Sequence, residues 1–208
     1  MNTRGRFITL EGGEGAGKTT HVRFIEQWLA QRGRPVITTR EPGGSPLAEA
    51  VRELVLRSWD EGMTPATEAL LIFAARAAHL HATIEPALAS GVDIVCDRFV
   101  DASWAYQGAG RGLADEHLQA LERLVAGGLR PDLTLVFDID PHLGLTRARA
   151  RGDANRFEFE SLEFASRVRS AYLARAARAP ERYAVIDASQ PLDDVRRQIT
   201  DVIEARLA

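Results

Sequence analysis

The residues from Gly12 to Thr19 constrain this chain more than any other stretch. Gly12-Gly13-Glu14-Gly15-Ala16-Gly17-Lys18-Thr19 fits the spacing G-x-x-x-x-G-K-[ST]. Phe7-Ile8-Thr9-Leu10 before it reads as a strand, and Val22, Ile25, Trp28 and Leu29 after it recur at helical spacing. A strand, a glycine loop and a helix in that order wrap backbone N–H groups around an oxyanion and aim a helix N-terminus at it. Lys18 then suits the outer phosphates of a nucleotide, and the Thr19 hydroxyl suits a magnesium ion. Gly12, Gly13, Glu14, Gly15, Ala16, Gly17, Lys18, Thr19 and Thr20 are therefore the candidate nucleotide-binding residues.

Lys18 is also the only lysine among 26 lysines and arginines. A coding bias towards arginine explains most of that imbalance, but not why position 18 escaped it. An ammonium is a compact, rotatable point charge and a guanidinium a larger plane, so a site that needs the former resists the exchange. Lys18 is expected to be exposed in the empty protein and to act on charge that develops during group transfer. The same count excludes an Asn-Lys-x-Asp guanine-reading element, and with it an ordinary regulatory GTPase.

Further strands are read at Val36–Thr39, Val92–Cys96, Leu133–Phe137 and Tyr183–Ile186. Helical patterns fall at about 46–57, 66–90, 115–126, 141–150, 160–178 and 191–207. Short apolar strands alternating with amphipathic helices predict a doubly wound α/β fold, a parallel five-stranded sheet with helices on both faces. No internal repeat or low-complexity linker divides residues 1–208, so a single domain is expected. Ligands of such a sheet lie beyond the carboxyl ends of its strands. That rule selects Glu11–Thr19, Arg40–Gly44, Asp97-Arg98, Asp138 and Asp187–Ser189.

The 26 basic residues against 29 acidic ones leave a net charge of −3, which argues against a general nucleic-acid binder. No apolar run nears the roughly 20 residues of a membrane span and no secretory leader is read, so a cytoplasmic protein is expected. The single cysteine, Cys96, excludes an internal disulfide and reads as a small core residue. His79 and His81 read as partly exposed helix residues without the spacing of metal ligands.

Three clusters extend the glycine loop. Thr39-Arg40-Glu41-Pro42-Gly43-Gly44 follows the second strand, Asp97-Arg98-Phe99 follows the third, and Tyr106-Gln107-Gly108-Ala109-Gly110-Arg111-Gly112 comes shortly after. Taken together, these residues resemble the thymidylate kinases, P-loop nucleoside monophosphate kinases that phosphorylate dTMP with ATP. The resemblance runs from Phe7 to the last helix. It implies a P-loop kinase fold with a short lid, acceptor-site loops at 40–46 and 97–112, ATP and Mg²⁺ as donor and cofactor, and a homodimer.

The resemblance also implies roles. Arg98 clamps the dTMP phosphate, with Arg40, Pro42 and Arg76 around the acceptor. Asp97 lies near magnesium, which it would share with Thr19. Gln107 reads the thymine edge, Tyr106 lies under the deoxyribose, and Ser103 contacts the base. Glu14 approaches the sugar 3′-hydroxyl. Relatives carry a thymine-stacking phenylalanine four residues before the arginine matching Arg76; here Ile72 holds that position and Phe73 follows it. Either a helix distortion brings Phe73 to the base or Ile72 covers it. Phe73 is taken as the contact, because an aromatic face gains more on a base.

Arg147, Arg149, Arg151 and Arg156 with Asp153 give the segment 147–157 a local charge of +3 in an acidic chain. It resembles the family's lid over ATP, and Ala188 falls in a loop resembling the one that borders adenine. Some thymidylate kinases place an arginine in the P-loop where this chain has Gly15. Without it, Arg149 and then Arg151 become the expected catalytic guanidiniums. The remaining readings are a kinase for another nucleotide, such as UMP or AMP, and a non-catalytic nucleotide-binding module.

Overall fold

A computed structural model describes residues 4–150, 156–157 and 159–207. Strands β1 (Phe7–Gly12), β2 (Val36–Arg40), β3 (Asp93–Asp97), β4 (Leu133–Asp138) and β5 (Tyr183–Asp187) form one sheet in the order β2-β3-β1-β4-β5. Every pairing is parallel. This is the expected doubly wound sheet. β1 lies at its centre, and Leu10 pairs with Asp97 of β3 on one side and Leu135 of β4 on the other.

The period of two along β1 sorts its side chains between the faces. Ile8 and Leu10 join Val95, Leu135 and Phe137 under helices α1 (Lys18–Ala30) and α9 (Leu192–Leu207). Phe7 faces the other way, with Ile94 and Cys96, against Leu80, Ile84 and Leu88. Glu11 has the same parity as Phe7, so the strand carries a carboxylate into the second face at the end where a ligand would sit.

Helices α2 (Pro46–Leu56) and α3 (Pro65–His79) pack side by side over that end. Ser45 and Thr64 cap them by accepting from the N–H of Ala48 and Thr67. The single helix expected at 66–90 is interrupted. A π turn over Leu80–Ile84 separates α3 from α4 (Glu85–Ala89). Pro86 explains the break: it has no N–H, and its ring crowds the carbonyl four residues back, so the turn before it widens.

The expected loop at 97–112 is helical through most of its length, with α5 (Val100–Ser103) running into a π turn over Trp104–Gly110. Two of its glycines, Gly108 and Gly110, serve packing. A Cβ on Gly110 would lie 2.6 Å from the Phe164 ring. The remaining helices are α6 (Asp115–Ala126), α7 (Pro141–Arg149) and α8 (Leu162–Arg178). Among the described residues, no helix is long and apolar enough to cross a membrane.

Candidate active site

Sheet order reverses at β1, and the crevice outside the β1 and β3 ends opens into a cleft of about 740 Å³. Glu14–Thr19 form one wall. Arg40, Pro42, Arg52, Ile72, Arg76, Arg98, Ser103, Tyr106 and Gln107 line the rest. Many of the residues selected from the sequence thus line one cavity, whereas Gly12, Gly13, Thr20, Phe73, Arg149 and Ala188 do not.

Gly17 precedes α1 in the left-handed region at φ 83° and turns the loop into the helix. Lys18, the first helical residue, is buried at 7 % exposure, not exposed as expected. Its Nζ donates to the carbonyls of Gly12 (3.1 Å) and Gly13 (2.8 Å), so the loop folds over its own lysine. Burial, then the Arg98 charge, lowers its pKa to about 8, which still leaves it mostly protonated at neutral pH. Thr20 is exposed and outside the cleft lining.

Thr19 Oγ1 donates to Asp97 Oδ2 at 3.2 Å. A hydroxyl and a carboxylate are hard oxygen donors, the chemistry a magnesium ion takes while keeping several of its waters. No group of three or more His, Cys, Asp or Glu side chains suited to a metal occurs among the described residues. A dedicated protein cage of that kind is therefore absent there, and the Thr19–Asp97 pair fits a metal shared with phosphates.

Arg98 stands at φ 74°, the only non-glycine residue with positive φ among those described. Its Nη1 donates to the Gly12 carbonyl (2.9 Å) and its Nη2 to Glu14 Oε1 (2.7 Å). Tyr106 donates to the same Glu14 oxygen at 2.9 Å, and the Arg98 guanidinium lies 4.7 Å from the Tyr106 ring centroid. Three predicted residues, Glu14, Arg98 and Tyr106, thus form one unit at the junction of the two walls.

Arg76 is fully buried. Nε donates to Glu41 Oε2 (2.6 Å), Nη1 to Ser103 Oγ (3.1 Å) and Nη2 to the Phe99 carbonyl (2.9 Å). His79 is fully buried as well, contrary to the partly exposed helix position expected. It lies between Glu41 Oε1 (3.1 Å) and Thr39 Oγ1 (2.7 Å) and ties β2 to α3. Gly44 abuts this histidine so closely that a Cβ there would lie 2.3 Å from Nε2.

Phe73 requires a correction. α3 stays regular to His79, so Ile72, four residues before Arg76, shares its cleft-facing side. Ile72 lines the cleft, whereas Phe73 is turned out of the lining and buried with its ring 4.5 Å from the Arg76 guanidinium. The only distortion of this helix falls after residue 79, too late to rotate Phe73.

Gln107 Nε2 donates to Glu68 Oε1 at 2.6 Å, and Glu68 also accepts from Arg111 and Arg156. Arg40 pairs with Glu49, and Arg52 donates to the Pro42 carbonyl from the cleft wall. Arg147 donates to the Ala188 carbonyl at 3.1 Å, joining α7 to the predicted adenine loop. Arg149 is exposed at the end of α7. Arg151 lies outside the described residues. Arg156 reaches α2 and α3, donating to the Val55 carbonyl and to Glu68.

Three side chains of this site escaped the sequence reading, and Glu11 was selected only by its place at a strand end. Arg52 has no local signature. Phe157 lines the cleft and meets Tyr106 edge-on at 5.7 Å. Glu68 carried a signal, since with Ile72 and Arg76 it forms a stripe at four-residue spacing, an acid on an apolar helix face. Glu11 carried one too, as a carboxylate closing a buried strand. Burial, then the Asp101 charge, pushes its pKa up to about 8.

A family model described as thymidylate kinase matches residues 10–199. The chain belongs to the thymidylate kinase family. A thymidylate kinase of Pseudomonas putida (strain GB-1) is 57 % identical over 195 residues, covering 94 % of this chain and 93 % of the relative. One from Teredinibacter turnerae is 55 % identical over 203 residues, covering 98 % and 99 %. The crystal structure of thymidylate kinase from Ehrlichia chaffeensis superposes with a TM-score of 0.79 at 31 % identity, covering 97 % of this chain and 99 % of that one. The match in fold extends over 97 % of this chain.

Proposed function

We propose that the cleft holds Mg²⁺-ATP and dTMP together and passes the γ-phosphoryl group directly between them. Family membership makes the chain a nucleoside monophosphate kinase whose reaction is phosphorylation of dTMP to dTDP. The observation that carries the reading of the site is that Lys18 and Thr19 open into the same cleft as Arg98, Arg40 and Arg52. A donor phosphate seated on the loop and an acceptor phosphate seated on the arginines then meet without crossing solvent.

In this reading Gly12–Thr20 and Ala188 hold ATP. Arg98 grips the dTMP phosphate through a planar pair of N–H groups, and Arg40 and Pro42 border it. Arg76, Ser103, Gln107 and Ile72 enclose the base, with Tyr106 and Glu14 at the sugar. Thr19 and Asp97 hold Mg²⁺, which offsets phosphate charge. A dTMP phosphate oxygen attacks the γ-phosphorus as the bond to the β–γ bridging oxygen breaks, leaving ADP. Such transfer needs positioning and charge stabilisation, not a protein nucleophile. Lys18 supplies one cation. Gly15 supplies none, so Arg149 or Arg151 brings the guanidinium.

The protein acts in the cytoplasm as a homodimer. Leu47 (66 % exposed) on α2, Leu70 (59 %) on α3 and Leu124 (81 %) on α6 support the dimer, since these three helices pack in series and present large apolar side chains outward. The test of function is coupled ADP release with each nucleoside monophosphate in turn. dTMP should far exceed UMP, CMP, AMP and GMP, and equal rates on dTMP and UMP would remove the base and sugar roles of Gln107 and Tyr106.

A further inference from the structure

We propose that Tyr172 and Glu11 are positioning residues for Arg98, holding it by side chain and by backbone in the pose that receives the acceptor phosphate. The proposal rests on the reading of Arg98 as the dTMP phosphate clamp, given above.

Arg98 needs holding. Its φ of 74° is a conformation that non-glycine residues adopt only when their surroundings fix it. Glu11 provides the constraint with both carboxylate oxygens. Oε1 accepts from the N–H of Phe99 at 2.7 Å, which pins the peptide following Arg98. Oε2 accepts from the Tyr172 hydroxyl at 2.8 Å, and that hydroxyl accepts from Arg98 Nη1 at 3.2 Å. One buried carboxylate at the end of β1 therefore reaches Arg98 along two routes.

The geometry has little slack. Glu11 is fully buried and Tyr172 is 2 % exposed. The Tyr172 ring packs with Ala105, Val136, Phe164 and Val168 and meets Tyr106 edge-on at 6.5 Å. Its hydroxyl is the polar atom that α8 sends into this core, and the core fixes where it points. Burial pushes the phenol well above its usual range, so it keeps its proton at neutral pH. The other hydrogen bonds of the guanidinium, to the Gly12 carbonyl and Glu14, belong to the P-loop side, and the Tyr106 ring lies against it. Tyr172 is what ties this guanidinium to α8.

The test uses Tyr172→Phe, which keeps the ring and deletes the oxygen. Calorimetric titration with dTMP and with thymidine, which lacks the phosphate, separates clamping from packing. The expected result is a dTMP Kd raised about tenfold and a thymidine Kd within about twofold of the parent. In turnover, KM for dTMP should rise while KM for ATP holds. Glu11→Leu, which removes both oxygens at similar size, should split the two ligands the same way, and it serves as the readout should the phenylalanine variant fold poorly. Equal weakening of dTMP and thymidine would make Tyr172 a packing residue and overturn the proposal. Arg98→Met is the control. If it lowers dTMP affinity alone while Tyr172→Phe lowers neither, the clamp stands and its positioning by Tyr172 fails. If Arg98→Met does not separate the ligands, the clamp itself fails and the proposal falls with it.

Discussion

Gly15→Ala probes why this P-loop carries no arginine. Gly15 stands at φ 71°, where an L side chain costs about 1–2 kcal/mol. A Cβ built there would lie 1.9 Å from the Gly144 carbonyl oxygen, a backbone atom inside α7. That oxygen cannot yield unless the helix moves, and such overpacking adds about 1–3 kcal/mol. The sum is about 2–5 kcal/mol, which for a chain of this size lowers Tm by about 5–20 °C. Thermal unfolding followed by circular dichroism, with and without ATP, gives the readout. Gly144→Ala should behave alike, because its Cβ would meet the Glu14 carbonyl at 2.5 Å. Gly15→Arg should lose stability without gaining rate. A Gly15→Ala Tm within about 2 °C of the parent, well below the calculated shift, with unchanged KM for ATP, would refute the packing argument. It would also remove the steric reason for placing the catalytic arginine elsewhere.

Glu11 titrates near 8 in the fold against 4.5 when free, so its share of stability is full below pH 4.5 and is lost as pH rises towards 8. Between pH 6 and 8 the loss is about 2–3 kcal/mol, and Glu11→Gln should flatten that slope in thermal melts; parallel slopes would contradict it. Phe73→Ala should cost about 3–5 kcal/mol of stability, whereas Ile72→Ala should mainly raise KM for dTMP; the reverse pattern, read from urea unfolding and steady-state rates, would return Phe73 to the base. Arg149→Ala should lower kcat more than tenfold, about 1.4 kcal/mol, while dTMP affinity holds. If Arg147, Arg149, Arg151 and Arg156 each tolerate alanine with smaller losses, the segment is a cover and not a source of catalytic charge.

The sheet was legible because its three inner strands are buried on both faces and all five read as short runs between amphipathic helices. The P-loop was legible because glycine spacing, lysine and helix start are local. What escaped was set mostly by contacts distant in sequence, Lys18 being the local exception. His79 looks like a surface histidine until β2 brings Thr39 and Glu41 against it. Lys18 looks exposed until the loop carbonyls of Gly12 and Gly13 close over it. Ile72 and Phe73 differ only by the 100° between successive helical residues, and Pro86 places the distortion beyond both. Tyr172 lies far from the arginine it meets, and only folding of α8 onto the cleft delivers it; Arg52, ten residues after Pro42, has no signature of its own.

Direct transfer within one cleft is the central claim, and a single turnover with γ-labelled ATP tests it most directly. With dTMP present, label should enter dTDP at the rate it leaves ATP, with none bound to protein. Without dTMP, the label should stay on ATP. Label trapped on the protein, or released as phosphate at the same rate whether or not dTMP is present, would contradict the account.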